Sequence, residues 1–349
     1  MATTAYPVNH PAARKEWSSM VFKEALKRTW TLKFMGEGTN SLLQIVPGLG
    51  EGGDRIRVFL RMQLQGAGVA GDGSVEGNEE QLSMYSDDVS INQLRHAVRS
   101  AGRMSEQRVP FEVRNQAMDG LADWWADRLD TWAANQLSSN TDETDTRYTG
   151  MQATLAPDAS HAIVNDSEDS TASLTTSSTF RLQNIDNCVE LAKTLDVPIR
   201  PVKLMGEEYY VLFLHPYQIT DLRTNTDTGQ WLDIYQAAMQ GGDTTGNPIF
   251  TGAHGVYNHT IIHEWTRLPI GPATGAGATR RAVFCGAQAG AVAFGEGHGP
   301  GRFDWNEELF DYGNQLGVEA GCIGGLKKLQ FNSADLSTIQ VLTAANAHA

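Results

Sequence analysis

The chain has 349 residues, 41% hydrophobic and 19% charged, with 27 Lys and Arg against 41 Asp and Glu and a formal net charge of −14. That length predicts two or three structural units, the apolar content excludes global disorder, and the acidity excludes a broad phosphate-binding surface, which needs clustered positive charge. No run approaches the roughly 18 apolar residues of a spanning helix, and the N-terminus lacks the apolar stretch of a secretory signal, so no membrane partner is expected. Cys188, Cys285 and Cys322 lie far apart without a CxxC pair. They read as buried free thiols of a reducing compartment, not as a zinc knuckle or disulfide framework.

Residues 1–47 read as an arm. Arg14, Lys15, Lys23, Lys27, Arg28 and Lys33 outnumber Glu16, Glu24 and Glu37 in an otherwise acidic chain. Trp17, Val21, Ala25 and Arg28 predict a short helix over 15–28, and the glycine-rich residues 47–53 predict a turn. From 54 to 65, Ile56, Val58, Leu60, Met62 and Leu64 alternate with Arg55, Arg57, Phe59, Arg61 and Gln63, the period of a strand with one buried face. A glycine-rich acidic stretch (66–80) and a second extended run (82–91) complete a long hairpin with a flexible tip.

Two strands alone are marginal in water, and burying five apolar side chains contributes at most about 8–15 kcal/mol. The hairpin therefore needs a surface, either its own chain or a neighbouring subunit. Arginines on the outgoing strand and Asp72, Glu76, Glu79, Glu80, Asp87 and Asp88 on the tip and return favour the neighbour. The candidate intersubunit residues are Arg14, Lys15, Arg55, Arg57, Phe59, Arg61, Asp72, Glu76, Glu79 and Glu80. No lysine occurs between 34 and 192, although arginine is frequent there; arginine is the cation favoured at protein interfaces.

The period then changes. Met118, Leu121, Trp125, Leu129 and Trp132 predict a long amphipathic helix within 104–139 that starts near Pro110, with its tryptophans in the core. Residues 138–179, rich in Ser, Thr, Asp and Asn, read as exposed irregular chain. A helix over 180–195 capped by Thr179 follows, then a hairpin (202–205 and 209–215) and helical segments over 216–223 and 230–240. Strands are expected at 255–265 and 282–285, a small-residue helix at 287–294, and several short extended segments over 303–343.

No catalytic constellation emerges. The glycines at 48–53 precede a strand and those at 295–301 are followed by no helix, so neither forms the strand–glycine–helix context of a dinucleotide site. His259 and His263 have the spacing of two zinc ligands on a helix, but their β-branched surroundings predict a strand, where they lie ~13 Å apart. No catalytic, metal-binding or cofactor-binding residue is assigned.

The order of basic arm, long hairpin, long helix, mixed α/β region and returning strands resembles a tailed-phage major capsid protein of the HK97-like fold, and more closely the N4-like family. The resemblance rests on Arg95-His96-Ala97-Val98-Arg99, Met104-Ser105-Glu106-Gln107-Arg108, Asp119-Gly120-Leu121-Ala122-Asp123-Trp124-Trp125 and Tyr210-Val211-Leu212-Phe213-Leu214-His215-Pro216. It rests further on Gly255-Val256-Tyr257-Asn258, Ile261-Ile262-His263-Glu264 and Phe284-Cys285-Gly286-Ala287-Gln288-Ala289. It implies an α+β subunit with an arm (1–47), an extended hairpin loop (48–91), a peripheral domain (92–180) with a spine helix (105–138), an axial domain (181–302) and a return to the peripheral domain (303–349). It further implies assembly through pentamers and hexamers into an icosahedral head around double-stranded DNA, without sequence-specific contact, in the host cytoplasm. Decoration, scaffold and portal proteins are the expected partners.

Some shells of this fold are locked by a bond from a hairpin lysine to a neighbour's asparagine. The lysine-free stretch excludes that bond here. Alternatives are a cellular nanocompartment shell of the same fold and a metal hydrolase built on His259, His263 and Glu264.

Overall fold

The computed structural model describes residues 31–46, 53–109, 111–165, 171–204, 206–225, 253–272, 278–299 and 302–347. The expected helices over 15–28 and 230–240, most of the 47–53 turn, and Arg14 and Lys15 lie outside these residues. In chain order the elements are β1 (Met35–Gly36), β2 (Leu43–Val46), β3 (Arg55–Arg61), β4 (Met84–Ser90), β5 (Asn92–Arg99), α1 (Arg103–Gln107), α2 (Val113–Leu137), β6 (Ala162–Val164), α3 (Leu182–Thr194), β7 (Val202–Leu204), β8 (Glu207–Leu214), α4 (Pro216–Thr224), β9 (Ala253–Tyr257), β10 (Thr260–Glu264), β11 (Thr279–Cys285), β12 (Gly290–Phe294), β13 (Asp304–Phe310), β14 (Gln315–Lys328), β15 (Gln330–Phe331), β16 (Ala334–Asp335) and β17 (Thr338–Ala344). They divide into a larger unit (Thr29–Leu94, Arg128–Arg302, Cys322–Ala349) and a smaller one that includes Arg95–Asp127 and Phe303–Gly321.

The larger unit is built on a seven-stranded mixed sheet in the order β6-β17-β11-β8-β10-β9, with β7 also on β8. The run from Tyr210 to Leu214 is buried throughout, as expected of a central strand covered on both faces. Tyr210, Leu212 and Leu214 pack with Ile185, Cys188, Val189 and Ala192 of α3. On the other face the Phe213 ring lies 5.2 Å from both Phe34 and Trp265. Leu182, Ile185, Val189 and Ala192 recur at intervals of three and four, which turns one stripe of α3 to this core. Pro216 ends β8 and opens α4, where His215 accepts from the Tyr217 N–H and Gln218 returns a bond to the His215 N–H.

Several expectations are corrected. The single strand over 255–265 is a hairpin: β9 and β10 are joined by Asn258 and His259, both left-handed (φ 43° and 56°). His259 sits in this turn while His263 is buried in β10, so they do not share one strand. The small-residue helix over 287–294 is instead the strand β12, parallel to β2 and antiparallel to β14. Its alanines and glycine admit close neighbours on both sides: a Cβ on Gly290 would lie 2.8 Å from the Leu43 side chain. The short segments expected around Gly313, Gly317 and Gly321 are one hairpin of β13 with the 14-residue β14, while β15, β16 and β17 follow as separate strands. The glycines of β14 permit close approach rather than breaks, and a Cβ on Gly325 would strike the Ser90 carbonyl oxygen.

Residues 138–154 are not simply exposed. Ser138, Ser139 and Asn140 are buried, the Gln136 side chain donates to the Thr149 carbonyl at 2.5 Å, and the Thr154 hydroxyl donates to the Asn140 carbonyl at 2.7 Å. Polar composition here signals a hydrogen-bonded interior. The spine helix is α2, preceded by the separate turn α1, so it begins later than 105. Thr179 does not cap α3; Arg181 holds that position without a side-chain bond.

In the smaller unit, β14 lies between β13 and β5. Trp125 is buried, donates from Nε1 to the Ala320 carbonyl at 3.3 Å and lies 4.9 Å from Phe303. In the larger unit, the buried Trp132 donates to the Arg147 carbonyl at 2.8 Å. Trp124 is less enclosed and stacks on His96 at 4.5 Å. All three cysteines are buried and none forms a disulfide, and burial pushes the Cys188 and Cys285 thiols up.

The larger unit also holds a buried ion pair: Lys328 and Asp335, each 1% exposed at the side chain, meet at 2.7 Å. The Lys328 ammonium also donates to the Ser139 hydroxyl at 2.7 Å. Desolvation lowers the Lys328 pKa, against the pull of Asp335. Asp335→Asn is expected to destabilise the subunit by about 3–5 kcal/mol in urea unfolding, because it strands a buried cation, while the double change Lys328→Met with Asp335→Leu recovers most of the loss. Equal stability of Asp335→Asn and the native chain would exclude this role.

Next to the pair, burial tends to raise the Asp158 carboxyl. The Asp335 N–H, His161 and Ser160 outweigh it and hold the pKa at about 2. A depressed carboxyl stabilises above its unfolded pKa and loses that contribution as pH falls through the folded one. The subunit should therefore lose stability between pH ~4 and ~2, less steeply in Asp158→Asn, as read by thermal melts across that range.

Candidate assembly surfaces

The expected hairpin is present. β3 and β4 are antiparallel, with Arg55 opposite Ser90 and Arg61 opposite Met84. Its base lies on its own chain, where Ile56 and Val89 are buried against Ala291, Ala293, Leu329 and Phe331, with Val58 and Leu60 packed alongside. The alternating face is thus resolved in favour of the chain's own body, but only up to about residue 61.

Residues 62–83 form no strand and are almost wholly exposed. Across it, backbone meets backbone where the Met62 N–H donates to the Ser83 carbonyl at 3.1 Å. Phe59 (67% exposed) and Met84 stand open on the hairpin, and Leu64, Leu82 and Val75 on its extension. Between the hairpin and the body runs a groove of about 420 Å³, lined by Leu60, Met62, Val197, Pro198, Gln288 and Leu336 among others.

The proposed charges divide into two groups. Arg57 forks onto Asp88 within the hairpin at 2.6 and 2.8 Å, which lowers the Asp88 pKa and raises that of Arg57. Glu80 accepts from the backbone N–H groups of Gln65 and Gly66, each at 2.7 Å, and these bonds hold its carboxyl below the usual range. Glu79 accepts from the Gly77 N–H at 2.8 Å. These three residues shape the hairpin itself. Arg55, Arg61, Asp72 and Glu76 make no ion pair among the described residues and remain available to another molecule.

Asp87, grouped in the sequence with the tip acids, serves differently: it pairs with Lys327 of β14 and accepts from the Gln330 N–H at 3.2 Å. Lys327 carried no signal in the sequence, because only the folded register brings it to the hairpin. His263 is packed against Phe34 at 5.4 Å, and among the described residues no group of three His, Cys, Asp or Glu is placed to hold a metal ion.

A strand-rich α+β subunit with a hairpin projecting past its own core defines a capsid protein of the HK97-like type. The fold aligns with the capsid of Ralstonia phage GP4 over 99% of each chain, at a TM-score of 0.86 and 33% identity. It aligns with the capsid subunit of cyanophage Pam1 over 99% of this chain and 100% of that one, at 0.76 and 19% identity. In sequence the chain is 31% identical to the major capsid protein of Pseudomonas phage KPP25 over 94% of each. The profile described as "Phage capsid protein" matches residues 5–347. The chain belongs to that family, and its role is that of a major capsid subunit of a phage head. It is a structural protein that assembles with copies of itself and resides in the virion. Nothing in these comparisons favours the compartment or hydrolase alternatives.

The Glu80 bonds are the main constraint on the neck of the exposed segment. In Glu80→Ala, limited proteolysis of the unassembled subunit should cut between 62 and 83 several-fold faster than in the native chain, with Arg55–Arg61 still protected. An unchanged rate, followed by mass spectrometry, would show that the neck is held by other means.

Proposed function

We propose that the subunit builds an icosahedral head through pentamers and hexamers, with the hairpin of residues 48–91 laid over an adjacent copy. The observation that carries this reading is the hairpin's division of labour. Its base is anchored on its own chain, while its outer part exposes Phe59, Leu64 and Val75 and the unpaired Arg55, Arg61, Asp72 and Glu76. Exposed apolar side chains beside unpaired charges suit a heterologous contact, which closes into rings when repeated about an axis.

In this reading residues 1–47, with Arg14 and Lys15, form an arm that crosses a neighbour, and 92–180 with 303–349 form the peripheral domain around the spine helix. Residues 181–302 form the axial domain at the five- and six-fold centres. The protein is a shell subunit and not an enzyme. It assembles in the host cytoplasm, with scaffold and portal proteins at hand and decoration proteins added to the finished shell. Its net acidity suits a container in which packaged double-stranded DNA slides along the wall. With no lysine on the hairpin, the shell is held without covalent links from that loop.

Negative-stain microscopy of the concentrated chain should show closed shells or five- and six-membered rings, which dissociate to single chains on boiling in detergent. Asp72→Lys with Glu76→Lys should depress particle yield while leaving the melting temperature of the free subunit unchanged. Native yield from that variant would exclude the tip as a contact, and a ladder of linked chains after boiling would exclude non-covalent closure.

A further inference from the structure

Aspartate is followed by glycine twice in the chain, at Asp72-Gly73 and at Asp119-Gly120, and asparagine is followed by glycine nowhere. The pair matters because the glycine nitrogen can attack the side-chain carboxyl carbon of the aspartate before it. Any other residue crowds that nitrogen with a Cβ, and glycine has none. The attack also needs the aspartate backbone to rotate, and it needs an N–H that no hydrogen bond holds away. The same dipeptide therefore reacts or stays inert according to the fold around it.

Asp72 and Gly73 lie in the part of the hairpin that forms no strand, and residues 71–80 are all exposed. Gly68, Gly71 and Gly77 are left-handed, with φ of 69°, 65° and 89°, and a Cβ on any of them would meet nothing within 4 Å. The one close neighbour of Gly73 is Val69, whose Cγ1 would lie 2.6 Å from an added Cβ. The next bonds along the chain come after the pair: the Asn78 side chain donates to the Ser74 carbonyl and the Asn78 N–H to the Val75 carbonyl, each at 3.0 Å. Among the described residues neither the Asp72 carboxylate nor the Gly73 N–H has a hydrogen-bond partner. Exposed backbone with few packed neighbours is where local rearrangement costs least.

Asp119-Gly120 is the counter-example within the same chain. It lies in the interior of α2. Gly120 is exposed as well, and a Cβ there would also meet nothing within 4 Å, so access to solvent does not separate the two pairs. Backbone conformation does. The helix holds ψ at about −42°, away from the rotation that closes a five-membered ring. It also ties each interior N–H to the carbonyl of the residue one turn earlier.

We infer that Asp72-Gly73 is a site of self-modification, where the chain closes to a succinimide and reopens in part as L-isoaspartate. In the closing step the Gly73 nitrogen bonds to the Asp72 Cγ. The bond from Cγ to the hydroxyl of the protonated carboxyl breaks, and that hydroxyl leaves with the amide proton as water. In the opening step water adds to the main-chain carbonyl carbon of Asp72, the bond from that carbon to the Gly73 nitrogen breaks, and the nitrogen regains a proton. One water leaves and one returns, so the mass of the chain is unchanged and no cofactor or oxidant takes part. The product has an extra methylene in its main chain and carries the carboxylate directly on Cα. The tip thus changes shape at constant charge. Nothing in this chemistry requires the tip to meet another copy.

The test incubates the folded, purified chain at mildly acidic pH, where part of the carboxyl is protonated. Brief trypsin digestion then releases residues 62–95 and 115–128 as separate peptides. Isoaspartate in each is read by methyl transfer from an isoaspartyl methyltransferase and placed by electron-transfer fragmentation. It should accumulate at Asp72 faster than at Asp119 by an order of magnitude or more. In urea the two rates should come within a few-fold of each other, because the helix no longer protects Asp119. Gly73→Ala should slow the reaction at Asp72 several-fold without moving the melting temperature. Equal rates in the folded chain, an order-of-magnitude gap that survives in urea, or an unchanged rate in Gly73→Ala would overturn the inference. Each of these would leave the shell reading standing, since particle microscopy decides that separately.

Discussion

Lys327 and Lys328 are neighbours on β14, and the two-residue period of a strand sends their side chains to opposite faces. Lys327 reaches Asp87 and the Asp88 carbonyl on the return strand of the hairpin. Lys328 turns inward to Asp335 and Ser139. One strand thus holds both the root of the projecting hairpin and the polar interior that follows α2. Desolvating an ammonium is costly, and the Lys328 site is tolerable only because carboxylate and hydroxyl surround it. Substituting one partner leaves the other stranded, so the two lysines tie hairpin placement to the integrity of the larger unit.

The hairpin works as a cantilever. Ile56, Val89, Leu329 and Phe331 fix its base by ordinary apolar burial, and the Arg57–Asp88 fork and the Glu80 clamp stiffen its neck. Beyond residue 62 the chain gives up both strand pairing and burial. Loss of internal contacts at one end of an element is a liability in a solitary globule, where an exposed apolar strand invites aggregation. In the shell proposed above it leaves the outer part of the hairpin open to a neighbouring copy.

The sequence made some of this legible and hid the rest for identifiable reasons. Alternation over 54–65 exposed the hairpin because only one face is buried, and the three-four spacing of Ile185, Val189 and Ala192 exposed α3 for the same reason. β12 escaped because Gly and Ala carry no period; pairing with β2 and β14 decided its conformation. β14 escaped because Gly317, Gly321, Gly324 and Gly325 look like punctuation until a close neighbour such as the Ser90 carbonyl is seen. Asn258 was the available clue to the β9–β10 turn, since asparagine tolerates left-handed backbone. At the assembly surface the position of the hairpin was readable. Which of its charges are spent internally was not, because Arg57 opposite Asp88 is a matter of register.

The burial of Cys188, Cys285 and Cys322 has a practical side. Their thiols sit away from solvent and are held protonated by desolvation at Cys188 and Cys285, so thiol-directed reagents at neutral pH meet no reactive native sulfur on the described surface. Amine reagents, in turn, meet no lysine anywhere from 34 to 192. A single cysteine placed on the hairpin extension would therefore be chemically orthogonal to its surroundings. One dye could be set at that point on every free subunit, and its emission would report when a neighbouring copy covers it in the proposed shell.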